Sequence, residues 1–383
     1  MGKLGFDLRP LQAGYKAHKE RGIGVYTRSL INRRHLAPKG LELATFYDSL
    51  YEAEEPAAHD ATPYITRGLY SMVRPYLKEY VNQHIIFRMV AEETLEQADA
   101  DRMFFPSHLD APSGLIVPYV VTAHDMIQAA LKERYYKSIK NRMYIEKQIE
   151  VLRDAQVVIA VSQNTKRDVV RYASVEAKKI VVIYNGVDPE FRPGVTKGAE
   201  RFNLPEKFIL NVGGIDWRKN TELLFDAFAA LVSEKPEYHL VMTGAIDTDP
   251  LYRRFIESMT ERGLESKVKA LGYVSKDELV ALYNRAEVFF YPSIYEGFGL
   301  PVLEAMACGA PVISTNRSSI PEVADDAAVL LDPDKPEDFV EALSRLTGDE
   351  DKRRRLSEAG IKRAAMFTWD RCAEETYKTL AAF

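Results

Sequence analysis

Two acids, Glu296 and Glu304, stand either side of a glycine-containing turn in the segment YPSIYEGFGLPVLEAMACGAPVIS (residues 291–314), with seven residues between them. Carboxylates accept hydrogen bonds from paired hydroxyls such as those of a ribose or a pyranose. Pro301 suits the first turn of a helix, where its missing N–H would have no partner anyway. Gly297 and Gly299 let the backbone come close to a ligand, and the unpaired amides of a helix start form a phosphate site. Glu304 lies three residues past Pro301, about 5 Å along a helix axis, and can face the same crevice. Both acids are expected to be ionised near pH 7 unless buried. A plainer reading stands beside this one: the helix macrodipole favours a Glu in a first turn whatever the function, and GFG can be an ordinary turn.

A second group of the right chemistry follows another apolar run. In GGIDWRKN (213–220), Arg218 and Lys219 come just after a glycine pair. Two adjacent cations there suit a diphosphate leaving group, whose negative charge grows as its bond to a sugar breaks; preorganised cations and amides aimed at that charge lower the barrier. The alternative is a solvated pair before a helix N-cap at Asn220. His124 ends the run YVVTAHD; a lone histidine is more often structural than catalytic, and its place at a strand end favours function. Asp125 beside it can orient the imidazole or cap a helix.

These residues need a scaffold that brings strand ends together. Short apolar runs alternate with amphipathic stretches: 3–7, 41–47, 102–107, 119–125, 156–162 and 179–186, then 207–214, 239–244, 268–274, 288–293, 311–316 and 327–333. The runs are continuous rather than alternating, which marks strands buried on both faces. Between them lie helical lengths such as 220–234, where Leu223, Phe228, Leu231 and Val232 recur at helical spacing. Strand–helix–strand repetition predicts an α/β fold of two doubly wound, Rossmann-like domains. In open sheets of this kind ligands bind beyond the carboxyl ends of the strands, where Glu296, Lys219 and His124 fall. The aperiodic segment NGVDPEFRPGVTKGAE (185–200) suggests the boundary, giving domains 1–190 and 191–367 and a last helix, 368–383, that Thr368 can cap.

Composition narrows the class. The net charge of −5 argues against a nucleic-acid binder. Residues 1–190 carry 26 Lys and Arg against 24 Asp and Glu, and residues 191–383 carry 25 against 32, so the two halves are expected to meet different partners. Two cysteines, Cys308 and Cys372, make no disulfide framework or zinc site. That fits a reducing cytoplasm. MGKLGFDLRP has no apolar core for a signal peptide, and no run is long enough to span a membrane. Residues 129–153 read as one basic helix with Leu131, Tyr135, Ile139 and Met143 four apart, alongside Lys137, Lys140 and Arg142. It is either a solvated helix with charge pairs or one lying on an anionic membrane surface.

The quoted Glu–seven–Glu element with GFGLP resembles the donor-site signature of the group 1, family 4 retaining glycosyltransferases, which have the GT-B fold of two Rossmann-like domains facing across a cleft. GIGVYTRSL (22–30), TAHD (122–125), VIAVSQNTKRDV (158–169), IYNGVDPEF (183–191), GGIDWRKN, LGYVSKDELVALY (271–283) and SSIPEV (318–323) match family patterns in order. The resemblance implies an N-terminal acceptor-side domain, with the last helix packing back on it, and a C-terminal donor-binding domain. Glu304 would hold the ribose hydroxyls of a nucleotide and Glu296 the hydroxyls of the donor sugar. The amides of Phe298, Gly299 and Leu300 would bind sugar and phosphate, with Gly297 in the same turn. Arg218 and Lys219 would neutralise the diphosphate. Gly22 and Gly24 would form a loop over the phosphate or the acceptor, His124 would sit by the reacting carbon, and Asn185 and Ser162 would line the cleft. Many members carry an arginine where this chain has Gly214; Arg218 is the inferred replacement. The stretch QAGYKAHKE (12–20) before GIGVYTRSL is longer than usual and can shape the acceptor site.

The implied reaction moves a hexose from a nucleoside-diphosphate donor to a glycan or lipid-linked glycan hydroxyl with retention, by front-side attack and without metal or other cofactor. The branch resembled is mannosyltransferase-like, acting in polysaccharide or O-antigen assembly, which favours GDP-mannose; UDP-glucose and UDP-N-acetylglucosamine stay open. The Asp–x–Asp triplets at 99–101, 247–249 and 332–334 are read as chance. Neither glycine turn carries the third glycine of a dinucleotide fingerprint, against a nicotinamide dehydrogenase. A non-catalytic nucleotide-sugar sensor, an epimerase and a phosphorylase are the remaining alternatives.

Overall fold

The computed structural model describes residues 3–16, 22–48, 51, 61–64, 83–84 and 87–383. Part of the stretch 12–20, residues 17–20, lies outside them. The chain forms two compact units, residues 1–186 with 369–383, and residues 187–368.

The first unit carries a parallel sheet of β1 (Lys3–Asp7), β2 (Leu43–Tyr47), β3 (Thr62–Pro63), β4 (Ala100–Phe105), β5 (Tyr119–Ala123), β6 (Val157–Ala160) and β7 (Ile180–Val182), in the order β3-β2-β1-β4-β5-β6-β7. Six of these correspond to the apolar runs; the two-residue β3, exposed at the edge, has too little apolar character to be seen in the sequence. The second unit carries β8 (Phe208–Val212), β9 (His239–Thr243), β10 (Val268–Ala270), β11 (Val288–Tyr291), β12 (Val312–Thr315) and β13 (Val329–Leu331), in the order β10-β9-β8-β11-β12-β13. Every residue of β8, β11 and β12 is buried, as strands covered on both faces require. Both sheets are therefore doubly wound, reversing direction between β1 and β4 and between β8 and β11. These are the switch points beside which such sheets bind ligands.

In the first unit, burial at the end of β1 is made tolerable by charge pairing. The Arg9 guanidinium donates to both oxygens of Asp7, at 2.7 Å for the shortest bond, and to the carbonyl of Asp110 at 2.9 Å, and it lies 3.5 Å from the Phe87 ring centre. The helix Trp369–Ala382 belongs to this unit. It buries Trp369, Tyr377 and Leu380, and the Tyr377 hydroxyl donates to the Leu30 carbonyl at 2.8 Å.

Two expectations are corrected here. Gly22 and Gly24 do not form a loop: they stand in the first turns of the helix Gly22–Ile31, where burial of Tyr26, Leu30 and Ile31 outweighs the roughly 1 kcal/mol that each glycine costs relative to alanine. Residues 129–153 are not one helix but parts of three, Ile127–Ala130, Lys132–Tyr135 and Ile139–Asp154. The break before the last follows from Ser138, which is extended and accepts from the Asn141 amide, so its side chain competes with helix continuation. Leu131 and Tyr135 consequently do not share a face with Ile139 and Met143.

In the second unit, the glycine turns after β8 and β9 touch backbone to backbone. Gly244 has φ +115°, and a Cβ there would sit 2.4 Å from the Gly214 nitrogen. Gly244→Ala combines a left-handed backbone with a clash that no side-chain rotation relieves. It should cost at least about 2 kcal/mol, read as a lowered urea midpoint at unchanged slope; an unchanged midpoint would show that the two turns do not need this approach.

Candidate functional site

The loops that follow β8 and β11 are neighbours because their strands are paired. They are joined directly where the Ile294 amide donates to the Arg218 carbonyl at 2.9 Å. At and just past the end of β11, carbonyls are satisfied from β12: Ser314 Oγ donates to Tyr291 and Thr315 Oγ1 to Ser293, each at 2.6 Å. The turn is thus held at its entry before any side chain of the site is placed.

Glu296 is fixed at three points. Its amide donates to Ser318 Oγ at 2.9 Å and its carbonyl accepts from Ser319 Oγ at 2.9 Å. Its carboxylate oxygen Oε1 accepts from Lys219 Nζ at 2.8 Å, Tyr291 OH at 2.8 Å and Ser293 Oγ at 2.6 Å. Lys219 also donates to the Tyr291 hydroxyl. Its stem runs past Gly213, where a Cβ would come within 3.2 Å of Lys219 Cε. The Lys219–Glu296 pair is 11% and 14% exposed. Burial alone would raise the Glu296 carboxyl, but the Lys219 ammonium, hydrogen bonds from Lys219 and Ser293, and the Arg218 charge outweigh it and hold the group below its usual value. Glu296 is therefore an ionised acceptor near neutral pH.

Arg218 is held differently. Asp216 caps the short turn Trp217–Lys219, accepting from the Arg218 amide at 3.0 Å and from its Nε at 2.7 Å. Its charge still reaches Glu296 and Tyr291, so it stands beside the lysine as the sequence suggested, and Gly214 leaves the position after β8 without a side chain.

Gly299 adopts φ +100° and precedes the helix Leu300–Ala307, with Pro301 in its first turn. A Cβ at Gly299 would meet Ile320 Cδ1 at 2.8 Å. The first amides of this helix, beginning at Leu300, follow directly on the turn that carries Glu296, Gly297 and buried Phe298. Glu304, one turn further on, accepts from the Tyr283 hydroxyl at 3.2 Å. Both carboxylates act on the buried Tyr291 hydroxyl. Burial pushes Glu304 up to about 7, only partly opposed by the Tyr283 hydrogen bond, the exception that the sequence expectation made for a buried acid. Among the described residues, no group of three or more His, Cys, Asp or Glu is arranged to hold a metal ion; Asp332 and Asp334 are both paired with Arg317.

The remaining candidates belong to the first unit. His124 is half-buried at the end of β5; its Nε2 donates to the Pro106 carbonyl at 2.8 Å, and its ring meets that of Tyr26 edge-on at 5.0 Å. Asp125 accepts from the Ile127 amide two residues on at 3.0 Å, just before the helix Ile127–Ala130. Ser162 caps the helix Gln163–Ala173, accepting from the Thr165 amide at 3.0 Å. Asn185 is 3% exposed and its Oδ1 has no partner among the described residues. Sequence reasoning missed Tyr291, Ser293, Tyr283 and the paired serines 318 and 319. The last two lay in a quoted motif without a role, as did Tyr283, and Tyr291 and Ser293 stand five and three residues before Glu296 in one segment; residue type alone did not assign them to the carboxylates.

Two doubly wound parallel units, with an ionised carboxylate, a lysine and a helix start at the switch point of the second, define the GT-B class of α/β proteins. Family models assign the chain within it: that for group 1 glycosyl transferases matches residues 196–363, and that for glycosyltransferase family 4 matches residues 21–191. The chain belongs to the group 1, family 4 glycosyltransferases. The serotype-specific mannosyltransferase WbdA of Escherichia coli is 31% identical over 281 residues, 70% of this chain and 34% of that protein, so the chain spans about a third of this relative's length. The O-antigen chain mannosyltransferase B of Escherichia coli is 28% identical over 384 residues, 94% of this chain and 96% of that protein. A crystal structure of Anabaena Alr3699/HepE in complex with UDP and glucose matches with a TM-score of 0.76 over the whole of both chains at 16% identity, a likeness of fold.

The raised Glu304 carboxyl has a signed consequence. Its linked stability is fully present below its unfolded value near 4.5 and is lost as pH rises through about 7. Glu304→Gln keeps the acceptor for Tyr283 and removes the buried charge. It should stabilise the unliganded protein at pH 8 by roughly 2 kcal/mol and leave it nearly unchanged at pH 4.5; urea unfolding at the two pH values checks this, and a destabilised variant at pH 8 would contradict the burial account.

Proposed function

We propose that the protein is a retaining glycosyltransferase that moves mannose from GDP-mannose to a glycan or lipid-linked glycan in cell-surface polysaccharide or O-antigen assembly. The observation that carries the reading is the ionised Glu296 held against Lys219 beside the start of the helix Leu300–Ala307. Family membership and the names of the two Escherichia coli relatives support the sugar.

In this reading the amides of Phe298 to Leu300 receive the phosphates, and Lys219 with Arg218 stabilises the charge that develops on the departing diphosphate. Glu304 accepts the ribose hydroxyls, with ionisation favoured once they supply donors. Glu296 accepts a hydroxyl of the donor sugar and positions it. The anomeric carbon–oxygen bond to the diphosphate breaks and the bond to the acceptor oxygen forms on the same face. The acceptor's proton passes to the departing phosphate oxygen, so no enzyme nucleophile is used. The first unit serves the acceptor, and His124 acts near the reacting carbon. No metal takes part. UDP-glucose and UDP-N-acetylglucosamine are the alternative donors, and a non-catalytic nucleotide-sugar binder is the alternative outcome.

The test is a thermal-shift panel of the three donors followed by turnover in EDTA and assignment of the product anomer. A bound donor at a hundredfold excess over Kd should stabilise by about 2.7 kcal/mol. Glu296→Gln should keep donor affinity and lower turnover by roughly 100-fold or more. A trapped glycosyl adduct on Glu296, an inverted product or loss of activity in EDTA would each remove part of the mechanism, and turnover of none of the donors would favour the binder.

Membrane contact is part of the same proposal. Among the described residues no helix is long and apolar enough to cross a bilayer. Ile139 and Met143 are 81% and 50% exposed, one turn apart, and Lys137, Lys140 and Arg142 around them are exposed as well. This short stretch, rather than the long helix first expected, suits the anionic inner face of a cytoplasmic membrane. The protein should co-sediment with phosphatidylglycerol-rich vesicles and not with phosphatidylcholine alone, and Ile139→Asp with Lys140→Glu should abolish it; equal binding of the double variant would assign the contact elsewhere.

A further inference from the structure

Among the described residues, three hydrogen bonds reach the Glu296 carboxylate, and all three go to the same oxygen, Oε1. One comes from Tyr291, which opens the segment 291–314 and has no part in the proposed roles. Its side chain is fully buried, its ring lies nearly parallel to that of Phe289 at 5.5 Å and 20°, and its carbonyl is held by Ser314 Oγ at 2.6 Å. The ring is thus locked on both sides of its Cα, and its hydroxyl occupies a set position. That hydroxyl accepts from Lys219 Nζ and donates to Glu296, while the ammonium also lies 4.6 Å from the Tyr291 ring centre.

We propose that Tyr291 is a positioning residue for the transfer reaction. Its hydroxyl joins Lys219 to Glu296 and, with Ser293, commits Oε1 to the protein, so that the other carboxylate oxygen faces the hydroxyl of the donor sugar. A carboxylate held through one oxygen by a rigid aromatic presents the second in a single orientation, which is what a reaction relying on placement requires. A mobile lysine alone cannot do this, because its flexible stem carries three rotatable donors. The ring's contact with the ammonium gives Tyr291 a second grip on the same ion pair. A buried tyrosine hydroxyl merely needing a partner could have used any carbonyl; this one bridges the two groups of opposite charge on which the site is built.

The inference rests on the donor-site reading above, and Tyr291→Phe separates the two. The variant keeps the ring and its packing and deletes only the bridge. With GDP-mannose as donor, or UDP-glucose if the panel selects it, kcat should fall about tenfold or more, as expected for loss of a hydrogen bond to a charged group. Affinity for free GDP or UDP should stay within about twofold, because the phosphates are held by the helix amides and Lys219 remains. The acid limb of the pH–rate profile should move to higher pH, since an ionised carboxylate that loses a donor is protonated more readily. An unchanged kcat, or a loss of kcat, nucleotide affinity and thermal stability together with an unmoved acid limb, overturns the proposal in favour of packing alone. If the phenylalanine protein does not fold, 3-fluorotyrosine at position 291 keeps the shape and strengthens the donor; the acid limb should then move to lower pH, and an unmoved limb overturns the proposal. If the unaltered protein binds neither GDP nor UDP, the donor-site reading falls first.

Discussion

Keeping the Glu296 carboxylate ionised while it is largely withdrawn from water constrains everything around it. Desolvation of a carboxylate is expensive, and the cost is met only if donors and a counter-charge are already in place. Here they come from the ends of three strands: Lys219 after β8, Tyr291 and Ser293 at the end of β11, and Ser318 and Ser319 after β12, which hold the backbone on either side. The sheet order makes this feasible, because β11 lies between β8 and β12. The glycines have the same explanation. Gly213 leaves room for the lysine stem, and Gly244 with Gly214 lets two turns meet without side chains between them.

The two acids of the quoted segment are chemically alike and physically different. Glu296 is surrounded by donors and a cation, and its carboxyl is held low; Glu304 has one phenolic donor, from Tyr283, and is pushed up to about 7. One is therefore ionised at neutral pH, and the other titrates close to it. Divergent environments around paired carboxylates are a general device for giving them separate tasks. In this chain the division follows from where each sits: one on a turn wired to the neighbouring strands, the other inside a helix packed against an aromatic.

Much of this was legible in the residues, and the limits were physical. Continuous apolar runs marked twelve of the thirteen strands among the described residues because burial on both faces removes alternation; the exposed pair Thr62–Pro63 left no such mark. The lysine, the arginine and both glutamates could be picked out because strand ends in such sheets are where ligands bind. The helical assignment of 129–153 went too far because apolar spacing does not register a serine that turns its side chain onto its own backbone. The family resemblance implied a loop at Gly22 and Gly24, and tertiary burial of the neighbouring apolar residues makes them helical.

By itself the sequence determined the alternation of elements, the two parallel sheets, the family pattern and the acids and cations available at the strand ends, since these depend on local periodicity and residue type. Only the tertiary structure decided which carboxylate oxygen is occupied, which acid is charged and which tyrosine joins it to the lysine. Lys219 meets Tyr291 and Glu296 across separations of 72 and 77 residues. Such pairings are created by strand order and backbone approach, and a carboxylate's ionisation is set by whatever that arrangement brings within a few ångströms of it.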